Sequence, residues 1–182
     1  ASVIIVTYNS ELFIQDCLNA LFQQTMTSFE LIIVDNGSTD HTPQMVASMQ
    51  NNIKFIQLTD NCGFTGGNIA GLAHAQGRYI CLLNPDTEVA TDWLKALVDV
   101  MDKYPEAGIC ASKMVAFRTG RIDSAGDGCL KTGRGFKRGE GLPDTHYSEL
   151  EYVFGGCGGA VLYRRSVLDD IGFLDDDFLL FY

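Results

Sequence analysis

The sequence of 182 residues lacks several features that would assign it to other classes of protein. No uncharged apolar run approaches the roughly 18 residues that a membrane-spanning helix requires, and no basic, apolar signal peptide opens the chain. The six cysteines are widely spaced and include no C-x-x-C pair, and the three histidines have no metal-ligand spacing. We therefore expect neither a zinc site nor a disulfide framework, but buried free thiols in a cytoplasmic protein.

Positive charge is also scarce. The chain has 13 Lys and Arg residues against 23 Asp and Glu residues, which gives a formal net charge of −10. Such an excess of negative charge disfavours binding to nucleic acid or to an anionic membrane. An acidic protein that binds a phosphate-bearing ligand needs help from a metal cation or from a local group of N–H donors.

The chain does contain a regular succession of apolar strands and helices. Continuous apolar runs at residues 2–6 and 79–83 indicate strands buried on both faces, as in parallel sheets. A second buried strand is expected at residues 29–34 and a third strand at residues 53–58. Helical patterns follow each strand, the first with Ser10 as N-cap, the second opened by Thr42 and Pro43, the third ended by Gly77 and the fourth at residues 92–101. This alternation predicts an α/β fold, a Rossmann-like sandwich with a mostly parallel central sheet flanked by helices.

The second part of the chain is less regular. Strands are expected at residues 108–117, 152–154 and 160–163, and a long loop or hairpin at residues 118–150. Ser166 is expected to cap a short helix that ends at Gly172. Because the sequence closes on the apolar segment 178–182, we expect a single domain, residues 1–182, that is truncated at its C-terminus.

Polar or glycine-rich clusters follow the four regular strands, and neither a G-x-G-x-x-G fingerprint nor a Walker A motif is among them. Carboxyl ends of parallel strands share one edge of a sheet, where α/β proteins bind ligands, so the clusters together predict a pocket. Each cluster alone is equally typical of a turn, and Gly66 and Gly67 are as well explained by close helix–strand packing. The candidate residues are Thr7, Tyr8, Asn9, Asp35, Asn36, Gly37, Ser38, Gly63, Gly67, Asn68, Asn84, Pro85 and Asp86.

In order and spacing these clusters resemble the motifs of the family 2 glycosyltransferases. The matching stretches are SVIIVTYN at 2–9, VDNGSTD at 34–40, the glycine-rich stretch at 63–68 and LLNPD at 82–86. The N-P-D form, with GCGGA at 156–160 and RRS at 164–166, is similar to a rhamnosyltransferase-like branch. The resemblance implies a GT-A fold that transfers a sugar with inversion from a dTDP- or UDP-linked donor to an acceptor hydroxyl. It implies a place in surface polysaccharide or cell-wall glycan synthesis.

The resemblance also implies roles for individual residues. Asp35 would hydrogen-bond the base of the donor, and Thr7, Tyr8 and Asn9 would line its base and ribose end. Asp86 would ligate Mg²⁺ or Mn²⁺. Asn84 occupies the first position of the family's D-x-D motif, so we expect weaker metal binding than in D-x-D relatives. The other candidates would complete a donor-binding half at residues 1–103, and residues 104–182 would form an incomplete acceptor-side half.

No catalytic residue is identified, because the resemblance places the general base just after Tyr182. Asp175, Asp176 and Asp177 are close to that position, but a solvated turn explains them better. A catalytically incomplete domain that binds a nucleotide-sugar therefore remains an alternative hypothesis. The expected acceptor is a glycan or a lipid-linked molecule, and the expected location is the cytoplasm, free or at the inner face of the membrane. The sequence gives no indication of the oligomeric state.

Overall fold

The computed structural model describes residues 1–49, 52–175 and 177, and its elements alternate between strands and helices along the first half of the chain. The apolar segment 178–182 and Asp176 lie outside the described residues. The elements are β1 (Ser2–Thr7), α1 (Ile14–Phe22), β2 (Glu30–Asp35), α2 (Thr42–Ser48), β3 (Ile53–Gln57), α3 (Gly63–Leu72), β4 (Tyr79–Leu83), α4 (Trp93–Lys103), β5 (Ile109–Ala111), β6 (Lys113–Ala116), β7 (Arg121–Ala125), β8 (Asp127–Cys129), β9 (Gly135–Lys137), β10 (Ala160–Arg164) and α5 (Arg165–Ile171).

A six-stranded sheet in the order β3-β2-β1-β4-β10-β5 forms the centre of the fold. The first four strands in this order are parallel, whereas β10 is antiparallel to both of its neighbours. The order of the strands reverses at β1, which lies between β2 and β4, and ligands of open α/β sheets bind at such a switch point. The register pairs Thr7 with Asp35, so these two side chains end neighbouring strands at the same edge.

Helices cover both faces of the sheet, which confirms the predicted architecture. Successive strand residues point to opposite faces, so Val3 and Ile5 contribute to one apolar cluster and Ile4 to the other. The first cluster contains residues of α1, α2 and α4, and the second contains residues of α3 and α5. Burial on both faces explains why β1 and β4 are continuous apolar runs, whereas the edge strand β3 contains the exposed polar residues Lys54 and Gln57. No helix in the described part of the chain has the length and apolar character to span a bilayer.

Two glycines let α3 lie directly on β1. A Cβ atom built on Gly67 would be 2.5 Å from Val6 Cγ1, and one built on Gly71 would be 2.5 Å from Ile4 Cγ2. Both partner atoms are methyl groups of β-branched side chains, which have little rotamer freedom to move aside. For Gly67 the structure therefore supplies the packing explanation that the sequence had left open.

Two predicted helix ends are wrong because the residues concerned have other bonds. Helix α1 begins at Ile14 rather than after Ser10, since the Ser10 hydroxyl bonds the backbone of Tyr8. Helix α3 ends at Leu72 rather than at Gly77, which packs against the first residues of β1 and donates its N–H to Ser2 Oγ at 2.8 Å.

Two predicted caps also fall inside the helices that they were expected to precede. Thr42 is the first residue of α2, and Ser166 lies within α5. Thr42 receives a hydrogen bond from the Ser10 N–H on its side-chain oxygen, which removes that oxygen from capping. The structure also leaves Cys62 and Cys129 exposed, although buried thiols were expected; Cys17, Cys81 and Cys110 are buried.

The region after α4 departs most from the predicted pattern. The single strand expected at residues 108–117 is divided into β5, in the central sheet, and β6, which pairs with β7. The expected loop at 118–150 contains β7, β8 and β9, and β8 and β9 form a hairpin. Residues 152–154 form no strand, and only an isolated bridge joins Gly155 to Asp127. Strand β10 and the end of α5 at Gly172 agree with prediction.

The close contact between α3 and β1 gives a stability test. We expect Gly71→Ala to lower the free energy of unfolding by about 1 to 2 kcal/mol, because overpacking costs about 1 to 3 kcal/mol and Ala returns up to about 1 kcal/mol of helix propensity. Gly155→Ala is the control, since its added Cβ would lie 3.9 Å from Asp127 Cβ, the nearest atom among the described residues. Urea unfolding measures both variants, and equal stability of the two would contradict this packing.

Candidate functional site

The loops that follow β1 and β2 are joined by hydrogen bonds at the carboxyl edge of the sheet. Thr7 Oγ1 donates to Asp35 Oδ1 at 3.2 Å, and the backbone N–H of Ser38 donates to Asp35 Oδ2 at 3.2 Å. The Asn9 N–H donates to Ser38 Oγ at 2.9 Å, and Asn9 Oδ1 accepts the Thr39 N–H at 2.9 Å. These bonds hold Asn9 at a φ of 49°, a left-handed conformation that Asn tolerates better than most residues.

The same two loops are joined again where α1 and α2 approach. The Ser10 N–H donates to Thr42 Oγ1 at 2.7 Å, and Asp40 accepts the N–H groups of Glu11 and Thr42 at 3.1 and 2.9 Å. Glu11 in turn accepts the N–H of His41 at 3.0 Å. The sequence analysis did not assign roles to Glu11 and Asp40, because their bonds join residues about 30 positions apart.

Asp35 is a buried carboxylate at the centre of this edge. Only 2% of the residue is exposed, and its hydrogen-bond donors are a hydroxyl and a backbone amide rather than a cation. A carboxylate has about four lone-pair sites, so it retains the capacity to accept an N–H from a ligand. The structure places Thr7 beside it in the core, whereas Tyr8 and Asn9 are exposed at the rim.

Asn36 fixes the loop that leads into α3. Its Nδ2 donates to Asn61 Oδ1 and to the Gly63 carbonyl, both at 2.9 Å, and its Oδ1 accepts the Cys62 N–H at 3.0 Å. Gly37, at a φ of 76°, packs on the backbone of the same loop, where a Cβ would lie 3.2 Å from the Asp60 carbonyl carbon. Asn36 and Gly37 therefore support the site through the loop before α3, and the side-chain amide of Asn36 is hydrogen-bonded within the protein.

Two further candidates lie in α3 itself. Gly63 begins the helix with a φ of 72° and donates its N–H to Asn61 Oδ1 at 2.8 Å. Asn68 is buried, and its Nδ2 donates to the Phe64 carbonyl one turn earlier at 2.8 Å. Together with Gly67, which packs on β1, these two predicted residues determine the shape of α3 beside the site.

The Asn84-Pro85-Asp86 segment leaves the sheet directly after β4. The Asn84 N–H donates to the Gly159 carbonyl at 2.9 Å, and the Asn84 carbonyl accepts the Thr87 hydroxyl at 2.7 Å. The backbone of the segment is thus fixed, while the Asp86 side chain is exposed and has no hydrogen bond or ion pair to any described residue. Asp86 is available to an external ligand.

A cavity of about 450 Å³ lies beside Asp86. Besides Asp86 it has two carboxylates, Asp16 and Glu88, and two aromatic rings, Phe13 and Phe117, whose residues are 50% and 69% exposed. The remaining lining residues are Thr87, Ala116, Arg118 and Thr119. The sequence analysis missed this cavity, because it had placed Phe117 in a strand and had assigned no role to Phe13.

The donor atoms near Asp86 fit a cation that a ligand helps to bind. The described residues include no group of three or more His, Cys, Asp or Glu side chains placed to hold a metal by themselves. Mg²⁺ commonly takes only one or two protein carboxylates and completes its shell with substrate phosphate and water, so an unbonded Asp86 fits such a site. Cys17 is a poor ligand here, since burial raises the pKa of its thiol to about 12.

Comparisons with known protein families and sequences match almost the whole chain. The family model described as "Glycosyl transferase family 2" matches residues 2–172. The poly(ribitol-phosphate) beta-N-acetylglucosaminyltransferase TarS of Staphylococcus aureus is 38% identical over 109 residues, which cover 57% of this chain and 19% of TarS. The putative glycosyltransferase EpsH of Bacillus subtilis is 30% identical over 173 residues, which cover 92% of this chain and 48% of EpsH. The chain thus spans less than half the length of these relatives.

Solved structures give the same result. The crystal structure of S. aureus TarS 1-349 in complex with UDP matches with a TM-score of 0.72 at 25% identity, covering 98% of this chain and 51% of that one. The mannosyltransferase PcManGT from Pyrobaculum calidifontis, solved with GDP-Man and Mn²⁺, matches with a TM-score of 0.70 over 97% of this chain and 47% of that one. At 20% identity this second match supports the fold alone.

The carboxylates that join the two loops predict that the stability of these loops depends on pH. Burial alone would raise the pKa of Asp40, but hydrogen bonds from Thr42 and Glu11 outweigh it and lower that pKa. Hydrogen bonds from His41 lower the pKa of Glu11. For both groups the folded pKa is the lower one, so their stabilisation is present above the unfolded pKa of about 4 and is lost as pH falls through the folded value. We expect hydrogen-exchange protection of the Glu11 and Thr42 amides to be constant above about pH 5 and to fall as the pH is lowered from there through the depressed folded pKa values.

The control is Asp40→Asn, which keeps the shape of the side chain and removes its titration. Protection of the Thr42 amide should depend less on pH in this variant than in the unaltered chain. The Ile32 amide in β2 serves as an internal reference for global unfolding. If Thr42 protection followed that of Ile32 at every pH, the loops would not be stabilised by these carboxylates.

Proposed function

The chain belongs to the family 2 glycosyltransferases and has the GT-A fold, and from this premise we propose that it transfers a sugar from a nucleotide diphosphate-sugar to an acceptor hydroxyl with inversion. The observation that supports the proposal most is the unbonded Asp86 carboxylate at the edge where β1 meets β4, the edge at which Asp35 also lies. We propose a UDP- or dTDP-linked donor, with a hexose or rhamnose as the sugar, and a role in surface polysaccharide or cell-wall glycan synthesis. TarS, crystallised with UDP and with UDP-GlcNAc, supports a UDP-linked donor.

Asp35 is proposed to select the base of the donor. Its carboxylate is held by Thr7 and Ser38 and has acceptor capacity left for a ligand N–H. Tyr8 and Asn9, exposed on the neighbouring loop, would line the base and ribose. Because the loops are already bonded to each other, little ordering is needed when the donor binds, and this preorganisation favours affinity.

Asp86 is proposed to hold Mg²⁺ or Mn²⁺ against the diphosphate of the donor. A bound divalent cation offsets the negative charge that develops on a departing diphosphate, which is worth several kcal/mol. Asn84, at the first position of the motif, can contribute only a neutral oxygen. In a chain with a net charge of −10, such a cation also reduces the repulsion of a polyanionic donor.

The cavity beside Asp86 is proposed to receive the transferred sugar and the acceptor hydroxyl. The exposed rings of Phe13 and Phe117 offer apolar surfaces to the carbon-bound faces of a sugar. Residues 1–103 would then form the donor-binding half and residues 104–182 part of the acceptor-side half. The general base that inversion requires is proposed to follow Tyr182, beyond the described residues. We propose a cytoplasmic location at the inner face of the membrane.

The metal role of Asp86 is tested by calorimetry with UDP, in the presence and absence of Mn²⁺. We expect Asp86→Ala to weaken UDP binding by at least about tenfold with Mn²⁺ and to abolish the effect of the metal, because the protein ligand of the cation is lost. Glu88→Gln is a matched control, since Glu88 is an exposed carboxylate that lines the same cavity two residues further on. Equal losses in the two variants would show a general charge effect and would refute a metal site at Asp86.

A second variant tests the neutral first position of the motif. Asn84 is fixed through its backbone N–H and carbonyl, so Asn84→Asp should keep the loop in place and add a charged oxygen. We expect tighter Mn²⁺ binding in the presence of UDP, because a second carboxylate strengthens a site for a hard cation. Unchanged Mn²⁺ affinity would show that Asn84 does not face the cation.

Product formation distinguishes an enzyme from a domain that binds a nucleotide-sugar without catalysis. Release of UDP from UDP-linked sugars, measured with the full-length protein and with residues 1–182, is the appropriate assay. Turnover by the longer protein alone would show that residues 1–182 bind the donor and require a base from further along the chain. Tight binding of NAD in place of a nucleoside diphosphate would contradict both hypotheses.

A further inference from the structure

Positive charge is concentrated in one segment of this acidic chain. Residues 113–138 contain seven of the 13 Lys and Arg residues and only two carboxylates, Asp123 and Asp127. The segment has a net charge of +5, whereas the whole chain has a net charge of −10. It comprises the two small sheets: β6 lies within the strand expected at residues 108–117, and β7, β8 and β9 lie within the loop or hairpin expected at residues 118–150. Of its cations, only Arg118 lines the cavity beside Asp86, and none of the others takes part in the donor site as described.

The β8–β9 hairpin is firmly attached at its base. Lys137 pairs with Asp123, with Nζ–Oδ2 at 2.9 Å, and Arg138 pairs with Glu151, with Nη2–Oε2 at 2.7 Å. The Arg138 guanidinium also lies 4.8 Å from the centre of the Tyr147 ring. These two cations therefore have partners, and they fix the direction in which the hairpin extends.

The tip of the hairpin, residues 129–136, has a different character. All eight residues are exposed, and none is acidic. Lys131 and Arg134 make no side-chain hydrogen bond or ion pair with any described residue, in contrast to Lys137 and Arg138. Leu130 and Phe136 are 50% and 46% exposed. The tip thus combines two free cations with two exposed apolar side chains.

The register of the hairpin brings these groups together. Leu130 and Arg134 close the turn, with the Leu130 N–H donating to the Arg134 carbonyl at 2.9 Å. Phe136 is opposite Gly128, and its ring covers the place where a Cβ of Gly128 would lie. Because side chains alternate along a strand, Arg134 and Phe136 are on the same face. An apolar ring and a cation are therefore displayed side by side.

We propose that this hairpin tip docks the protein on an anionic lipid surface. Lys131 and Arg134 would contact lipid headgroups, and Leu130 and Phe136 would enter the boundary between headgroups and acyl chains. Interfacial anchors in general combine basic residues with exposed Phe or Leu, and basic side chains near an anionic leaflet add attraction within a Debye length. At this short range the two cations of the tip would outweigh the net charge of −10, from which the composition disfavours an anionic membrane.

A lipid surface fits the tip better than a soluble polyanion. A phosphate polymer would need only the cations, and it would leave Leu130 and Phe136 exposed to water. A bilayer uses both kinds of group, because burying an apolar side chain is favourable in addition to charge pairing. The proposal extends the suggested location at the membrane and does not depend on the donor chemistry at Asp86.

The test is co-sedimentation of residues 1–182 with vesicles of phosphatidylcholine, alone or with roughly one third phosphatidylglycerol. We expect binding to the anionic vesicles only. Lys131→Gln with Arg134→Gln should weaken it about 30-fold, at roughly fivefold for each cation removed. The matched control is Lys95→Gln with Lys103→Gln, which removes the same charge from exposed positions of α4 and should change binding by less than about twofold.

A further variant separates a bilayer from a soluble polyanion. Leu130→Ser with Phe136→Ser keeps every charge and should weaken vesicle binding by at least about tenfold, also at high salt. If this variant bound like the unaltered chain and inorganic polyphosphate displaced the vesicles, the tip would be a polyanion site and the proposal would be overturned. Equal binding to both kinds of vesicle, or none, would also overturn it.

Calorimetry with UDP and Mn²⁺ on the same variants keeps the two proposals separate. The hairpin variants should bind UDP like the unaltered chain, because no residue of the tip belongs to the proposed donor site. Loss of vesicle binding with UDP binding retained supports the hairpin proposal. Vesicle binding that depends on the tip in a chain that binds no UDP would leave the hairpin proposal standing and refute the proposed function.

Discussion

The pairing of β1 between β2 and β4 is the constraint on which the site depends. Both faces of these strands are covered by helices, so their side chains must be apolar until the strands emerge at the carboxyl edge. Polar residues follow these strands at the same edge of the sheet, and the register pairs Thr7 with Asp35. Hydrogen bonds between the emerging loops then satisfy groups that would be costly to bury unpaired. The sheet therefore determines where the chemistry can occur.

The two principal carboxylates at this edge differ in environment, and this difference indicates a division of tasks. Asp35 is buried and held by Thr7 and Ser38, which suits recognition of a ligand group of fixed geometry. Asp86 is exposed and unbonded among the described residues, which suits a cation that arrives with its ligand. Asn36 shows a third use of a polar side chain, since its amide is bonded to the loop before α3. Asn36 thus supports a loop, whereas Asp35 and Asp86 are proposed to contact the donor.

The sequence predicted β4 to the residue, because five consecutive apolar residues bounded by Asn84 and Pro85 have few other interpretations. It failed at the start of α1, where the Ser10 hydroxyl bonds the backbone of Tyr8 and the Ser10 N–H donates to Thr42, a residue that only the fold brings near. It left residues 118–150 open as a long loop or a hairpin and did not locate β8 and β9, since a polar segment rich in glycine shows no clear alternation. The cavity beside Asp86 joins segments more than 100 positions apart, and no local pattern indicates such a meeting.

The most direct test is a crystal structure of this chain with UDP and Mn²⁺, in which anomalous scattering locates the metal. The account predicts Mn²⁺ in direct contact with the Asp86 carboxylate and the diphosphate, with the uracil ring hydrogen-bonded to Asp35 at the edge between β1 and β2. A metal bound elsewhere, or a diphosphate that lies away from the carboxyl end of β4, would contradict it.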